Sequence, residues 1–280
     1  YAVNVTLTSK VNDMVKATIS GGFDEVQTIN TGTGNTSGTK TAVNGDGDPS
    51  LNVSNAYFTF DLGKAAVVAG KQAIPSVFVD ESDTAKTGTG IVASTTAVAG
   101  LTLAGAHFTN TSFTTANVKT TELIAATNVA GVNAQVNYNM TDVAGAESTR
   151  VSFNAAAKVA GFKADLRHSY ADVDGVADNG SLTKLVVTGK AAGLDLVAGY
   201  GMTSDKNSGN IRIDGDNDAK VDFKVWQLSL AGKNDATALL LGASMPVNDQ
   251  IKVGVKYAMA DYTSPAVTGV TAVTGVYAFN

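Results

Sequence analysis

Residues 148–170 read STRVSFNAAAKVAGFKADLRHSY, and apolar and polar side chains alternate along both halves of this segment. One face of the first half is formed by Val151, Phe153, Ala155, Ala157 and Val159. The opposite face carries Arg150, Ser152, Asn154, Ala156 and Lys158. After Gly161 the pattern repeats, with Leu166 on the apolar face and Arg167 on the polar one. A period of two predicts two β-strands joined by a tight turn.

The same period recurs along the chain, for example in residues 15–23, 133–140 and 251–259. The connections alternate in length. Tight ones lie at residues 11–13, 63–64, 99–100, 131–132, 161, 192–193 and 248–250. Longer polar ones lie at residues 27–49, 75–90, 112–116, 144–147, 172–180, 204–235 and 263–268. This alternation is typical of a transmembrane β-barrel, whereas a β-sandwich explains the strands but not the alternation.

The pattern predicts about 15 strands in this sequence, whereas bacterial barrels contain an even number. Because Tyr1 lies inside a strand pattern, we expect one strand to precede it and a complete all-β, antiparallel transmembrane barrel to have about 16 strands. Residues 1–280 are predicted to form a single barrel domain. The strand-like residues 221–230 are assigned to a folded outside loop, since a barrel strand there would move the next tight turn to the outer side.

Composition excludes several classes of protein. Charged residues make up 16% of the chain, against about 25% in soluble domains. The longest apolar candidate, residues 236–247, is shorter than the roughly 20 residues of a membrane-spanning helix. The absence of cysteine excludes a disulfide scaffold. A net charge of −5 argues against nucleic acid as a partner. The two histidines belong to no catalytic motif, so we predict that the protein is not an enzyme.

Three regions, residues 53–108, 245–257 and 276–279, resemble the major outer-membrane porins of Campylobacter and its relatives. The matching pieces are Tyr57-Phe58-Thr59-Phe60, Val68-Ala69-Gly70-Lys71-Gln72, Gly88-Thr89-Gly90, Gly100-Leu101-Thr102-Leu103-Ala104 and the terminal Val276-Tyr277-Ala278-Phe279. The resemblance implies a homotrimeric diffusion channel whose third loop, around residues 74–90, folds into the barrel. The chain departs from the family in its shorter length, its 7% aromatic content and its terminal Asn280.

These observations predict a general diffusion porin of the bacterial outer membrane. Its surroundings are then outer-membrane lipid and lipopolysaccharide, and its cargo is ions and small hydrophilic solutes. The alternative is a structural or adhesive surface β-protein of the surface-layer or autotransporter-like kind, because low charge and abundant Thr, Asn and Gly also fit that class. The alternation of connections and the terminal Tyr277 and Phe279 favour the porin, and the chain has no fixed short repeat of a solenoid.

Charged residues suggest a pore constriction. Asp80, Glu81 and Asp83 lie in the loop at residues 74–90, and carboxylates act strongly on ions inside a narrow, low-dielectric pore. The basic residues expected opposite them are Lys71, Arg167 and Lys256. Further pore-lining residues are predicted to be Arg150, Lys158, Lys163, Lys184, Lys190 and Lys252. The crowded acids predict a mild cation preference. The alternatives are a solvated loop, and wall lysines that pair with Asp165 or Asp195.

One acidic run, Asp214, Asp216 and Asp218, resembles a calcium loop. Carboxylates at alternate positions can wrap a hard cation. The full pattern also requires glycine at the sixth position and an acid at the twelfth, where this sequence has Ala219 and Val225. A solvated turn is therefore the favoured interpretation, with weak calcium binding as the alternative and no other cofactor predicted.

Overall fold

The computed structural model describes residues 2–24, 50–80, 86–113, 118–143, 145–213, 218–225, 228–248, 250–263 and 268–279. The strands are β1 Ala2–Lys10, β2 Val15–Asp24, β3 Ser50–Asp61, β4 Ala65–Ala73, β5 Thr87–Thr95, β6 Leu101–Thr111, β7 Val118–Val129, β8 Val132–Val143, β9 Ala146–Val159, β10 Phe162–Val173, β11 Gly180–Ala191, β12 Leu194–Thr203, β13 Lys224–Val225, β14 Leu228–Ser229, β15 Asn234–Pro246, β16 Lys252–Thr263 and β17 Thr268–Phe279. A single 3₁₀ turn, Ser208–Ile211, interrupts them in the described ranges. No helix found there has the length and apolar character needed to cross a membrane.

Fifteen of these strands form one antiparallel sheet in chain order, from β1 through β12 and then β15, β16 and β17. This confirms the strand number predicted for the sequence. The remaining two strands, β13 and β14, pair only with each other. The described part of residues 221–230 therefore contributes no strand to the large sheet, as predicted, and belongs to the connection between β12 and β15.

The tight connections lie at one end of the sheet. Three of them are two-residue turns of the sequence Ala-Gly, at Ala130-Gly131, Ala160-Gly161 and Ala192-Gly193. Both residues of each turn have positive φ, close to 50° for alanine and 80° for glycine. Type I′ turns require this conformation, and their twist matches that of the paired strands.

The opposite end carries most of the longer connections, with two corrections to their predicted bounds. The connection predicted at residues 144–147 has only two residues, because β9 already begins at Ala146. The loop predicted at residues 74–90 ends at residue 86, because Thr87–Thr95 pairs with both β4 and β6. Alternation of short and long connections holds elsewhere up to β15, but not beyond it. Residues 247–251, between β15 and β16, number five, whereas residues 264–267, between β16 and β17, number four.

The two faces of the sheet differ in the way that residues 148–170 predict. Phe153 and Leu166 are 52% and 46% exposed on the outward face. Ser152 and Ser169 are fully buried on the inward face, and their side chains share a hydrogen bond of 3.0 Å. Exposed apolar and buried polar side chains invert the arrangement of a soluble protein, and they suit a barrel whose outer surface contacts lipid.

Two connections fold against the inward face. The short insert is residues 74–80, between β4 and β5. The long insert is residues 204–233, between β12 and β15, described except for residues 214–217 and 226–227. Their buried apolar side chains include Val77, Phe78, Ile211, Val221, Phe223, Val225 and Leu230. They pack against small residues of the wall, namely Ala171, Ala236, Ala238, Ala258 and Ala260. The hydrophobic core of this protein thus lies between the wall and the inserts.

Candidate pore constriction

The two inserts contact each other inside the curve of the sheet. The backbone N–H of Ile213 donates to the carbonyl of Phe78 at 3.0 Å, and that of Val221 donates to Val77 at 3.1 Å. Asp80 and Ala219 form an isolated antiparallel bridge. Because backbone hydrogen bonds join both segments, a shift of one insert changes the position of the other.

The long insert is closed by the side chain of Asp222, which is 4% exposed. Its Oδ1 accepts hydrogen bonds from the backbone N–H of Phe223 at 2.7 Å and of Ala231 at 2.9 Å. Its Oδ2 accepts from the hydroxyl of Ser229 and lies 3.9 Å from Nη1 of Arg212. A buried carboxylate needs such partners, because an unpaired one would be costly. Asp222 therefore holds both ends of the β13–β14 hairpin together.

A lysine and an aromatic ring attach the long insert to the wall. Lys184 of β11 points inward, and its Nζ donates to the carbonyls of Lys220 and Asp222 at 2.5 Å each. The ring of Phe223 lies on two glycines of β12. A methyl group on Gly201 would come within 2.3 Å of Cδ1 of this ring, and one on Gly199 within 2.9 Å of Cζ.

A polar row crosses β7, β8 and β9 on the inward face, where Glu122 is in register with Asn139 and Asn139 with Arg150. Oε2 of Glu122 accepts a hydrogen bond from Nδ2 of Asn139 at 2.6 Å. Nε of Arg150 donates to the carbonyl of Asn210 in the long insert at 2.7 Å. This row fixes the long insert from a second side of the wall.

Three cations lie inward on successive strands: Arg150 on β9, Arg167 on β10 and Lys184 on β11. Arg167 and Lys184 are direct cross-strand partners. Nη1 of Arg167 donates to the hydroxyl of Ser152 at 3.0 Å. The structure thus brings Arg167 to the level of the long insert, together with two residues that were predicted as general pore lining.

The meeting of the three acids with the basic wall stays a prediction. Asp80 is buried in the short insert, whereas Glu81 and Asp83 lie outside the described residues. Strand pairing places Ala260 of β16 in register with Arg167, by way of Lys184, Gly201 and Ala238. Lys256 lies four residues from Ala260 along β16, nearer the tight-turn end of the sheet.

The prediction for Lys71 requires a correction. Strand pairing places Lys71 opposite Ala56 and Thr89, on the same face as the exposed Ile91. Its Nζ donates to the carbonyl of Val53 at 2.6 Å. The alternation of β4 turns the neighbouring Gln72 inward instead, and Gln72 is 6% exposed.

The remaining wall lysines lie inward, nearer the tight turns. Lys190 and Lys252 both contact Asp195, at 3.2 Å and 2.8 Å. Lys163 lies 3.5 Å from Asp165 and is the cross-strand partner of Lys158. The pairing of wall lysines with Asp165 and Asp195 is therefore present. Such exposed pairs contribute about 0–1 kcal/mol each to stability. Because the lysines outnumber Asp165 and Asp195, the inward face near the tight turns is basic.

The calcium-loop hypothesis falls mostly outside the described residues, which exclude Asp214 and Asp216. Oδ1 of Asp218 forms an ion pair with Nζ of Lys224 at 2.8 Å. Where the structure describes the chain, no three His, Cys, Asp or Glu residues are grouped to hold a metal ion. Calcium binding stays a prediction.

Sequence reasoning missed the contribution of the long insert to this site. One signal was present: the inward positions of β12, β15 and β16 are small residues, among them Gly199, Gly201, Ala236, Ala238, Ala258 and Ala260. A run of small residues on one face of neighbouring strands leaves space that close packing must fill. Glu122 gave no comparable signal, because a single acid in an apolar segment identifies no partner.

No protein-family model and no curated protein matches the sequence. Solved structures do match. OccK10 (OpdN) of Pseudomonas aeruginosa is 12% identical with a TM-score of 0.68, over 96% of this chain and 78% of that chain. The outer membrane protein opdK of the same organism is 10% identical with a TM-score of 0.65, over 96% and 78%. A BenF-like porin from Pseudomonas fluorescens Pf-5 is 12% identical with a TM-score of 0.60, over 95% and 77%.

These similarities extend over nearly the whole chain and concern the fold, since sequence identity is low. They support a porin fold, but they do not single out the Campylobacter porins that the sequence resembles. Together with the apolar outward face and the polar inward face, they establish the fold of the chain as that of an outer-membrane porin β-barrel.

Proposed function

We propose that this protein is a passive channel of the bacterial outer membrane for small hydrophilic solutes. The observation that carries the proposal is the inversion of the sheet: apolar side chains such as Phe153 are exposed outward, and polar ones such as Ser169 are buried inward. A lipid-embedded barrel with a polar lumen needs this arrangement. The two inserts narrow that lumen. The similarity to porins of known structure supports the same conclusion.

The test is conductance in a planar lipid bilayer. Folded protein should give discrete current steps that are proportional to voltage, because ions cross a permanent aqueous path. Protein unfolded by heating in detergent serves as the control and should give none. A preparation that is folded and inserted but conducts no current would contradict the channel function and favour a structural or adhesive role. Chemical cross-linking in detergent tests the homotrimer that the Campylobacter resemblance implies.

We further propose that the channel has a mild cation preference. The bases near the inserts, Arg150, Arg167, Lys184 and Arg212, oppose this preference, whereas Asp80 and Asp222 favour it. The connection between β4 and β5 carries three acids, Asp80, Glu81 and Asp83, and one base, Lys86, so its net charge is −2. A small local excess of negative charge in a narrow path concentrates cations.

The reversal potential under a salt gradient measures this preference. A variant with Asp80→Asn, Glu81→Gln and Asp83→Asn should shift that potential toward anions. The shift should shrink near 1 M salt, where the screening length is about 3 Å. Asp13→Asn, at an exposed tight turn, is the matched control and should leave the potential unchanged. An unaltered potential in the triple variant would show that this connection does not line the narrow path.

A further inference from the structure

We propose that Phe223, Gly199 and Gly201 form a lock that positions the long insert and thereby sets the open cross-section of the channel. The inference rests on the proposed channel function and assigns residues to it. It begins from a close approach between the insert and the wall, where the ring of Phe223 occupies the space above two glycines of β12.

The backbone does not explain these glycines. Neither Gly199 nor Gly201 has the positive φ that the tight-turn glycines have. What excludes a side chain is the neighbour, because a methyl group on Gly201 would lie 2.3 Å from Cδ1 of Phe223 and 3.1 Å from Cδ2 of Leu230. The two glycines, at alternate positions on the inward face, therefore allow the ring to approach the backbone of β12 closely.

The ring is presented to this groove by a rigid backbone. The N–H of Phe223 donates to Oδ1 of Asp222 at 2.7 Å, and its carbonyl accepts from the N–H of Leu230 at 3.0 Å. Lys184 binds the carbonyl of Asp222, the preceding residue, at 2.5 Å. Phe223 is 4% exposed. Side chain and main chain of one residue are thus held by three independent sets of contacts.

The lock also affects the short insert. Residues 219 and 221 precede Phe223 closely, and they are the residues that bond to Asp80 and Val77. If the ring leaves the groove, the long insert moves away from β12 and the short insert loses its partner. Phe223 therefore positions the buried Asp80 as well as the long insert, although it carries no charge itself.

The experiment is a double-mutant comparison of unitary conductance. Phe223→Ala removes the ring, and Gly201→Ala expels it from the groove. Each variant should have a higher unitary conductance than the unaltered protein and should show additional subconductance levels. In the double variant the added methyl group meets no ring, so its conductance should equal that of Phe223→Ala alone. Phe58→Ala, on the outward face and 51% exposed, is the matched aromatic control and should conduct like the unaltered protein.

The outcomes separate the lock from the channel. Wild-type conductance in Phe223→Ala and Gly201→Ala would overturn the lock while leaving the channel intact. Independent, additive effects of the two substitutions would also overturn it, because they would show no direct contact. A silent unaltered protein would instead remove the proposed function. If Phe223→Ala does not fold, Phe223→Leu retains apolar bulk and should still raise the conductance; an unchanged value would again overturn the lock.

Discussion

Three alanines occupy the left-handed region of backbone conformation. Ala130, Ala160 and Ala192 begin the two-residue turns, with φ of 51°, 50° and 49°. A side chain with a Cβ is disfavoured there by roughly 1–2 kcal/mol, whereas asparagine tolerates this conformation well and precedes glycine in the preferred type I′ sequence. The turns are thus built at the expense of local strain, which the paired strands overcome.

Ala160→Asn should relieve part of this strain and raise the free energy of unfolding by about 0.5–1 kcal/mol. The measurement is the urea midpoint of protein folded into lipid vesicles. Gly161→Ala is the matched control, since φ at Gly161 is 83°, and it should lower the midpoint. A lower midpoint for Ala160→Asn would show that the turn is not of type I′.

The assignment of faces is testable within one strand. Leu185 of β11 is 40% exposed on the outward face, and Thr188 is exposed on the inward one. Leu185→Arg should destabilise the protein by about 2–4 kcal/mol if it lies near the centre of the membrane. Thr188→Arg should fold normally and alter conductance instead. Equal folding yields for the two variants would contradict the assigned faces.

At the scale of elements, the long insert depends on one carboxylate. Asp222→Ala removes acceptors from two backbone donors and from Ser229. Hydrogen bonds to a charged group contribute about 1.5–3 kcal/mol each, so the insert should open locally while the sheet persists. Hydrogen exchange should then accelerate at Phe223 and Ala231 but not in β9, which serves as the internal control. Uniform acceleration throughout would contradict an independent insert.

The sequence predicted the strands because alternation is local and is read directly from residues such as Arg150 and Val151. It also predicted which basic residues point inward, apart from Lys71, where glycine and polar residues on both faces obscured the parity of β4. The contact between the two inserts was not predictable in this way. Val77 and Val221 meet although more than half the chain separates them, and contacts of that kind leave no periodic pattern. Local periodicity therefore predicts the wall, and tertiary packing decides what fills it.

At the scale of the whole molecule, strand pairing continues across the entire large sheet. Each strand of the large sheet pairs with the next one along the chain, except that β12 pairs with β15 across the β13–β14 hairpin. Backbone hydrogen bonds therefore run from β1 to β17. In a lipid or detergent environment these bonds face little competition from water. Such a sheet should resist detergent until it is heated.

We expect heat-modifiable migration on detergent gels: an unheated sample should run ahead of a boiled one, because the folded barrel is more compact. The apparent transition temperature gives a simple measure for every variant above, and Leu185→Arg should lower it more than Thr188→Arg does. Identical migration before and after boiling would contradict a detergent-resistant barrel.

The position of the long insert in the chain has a consequence for the order of folding. Its contacts lie on strands made before it, such as β11, and on strands made after it, β15 and β16. Contacts between distant residues form late, because the loop closure that they require must come first. The wall should therefore assemble before the insert settles, which implies a transient, membrane-inserted intermediate with an unfilled lumen. During refolding in a bilayer, currents should begin large and noisy and then decline to their final steps.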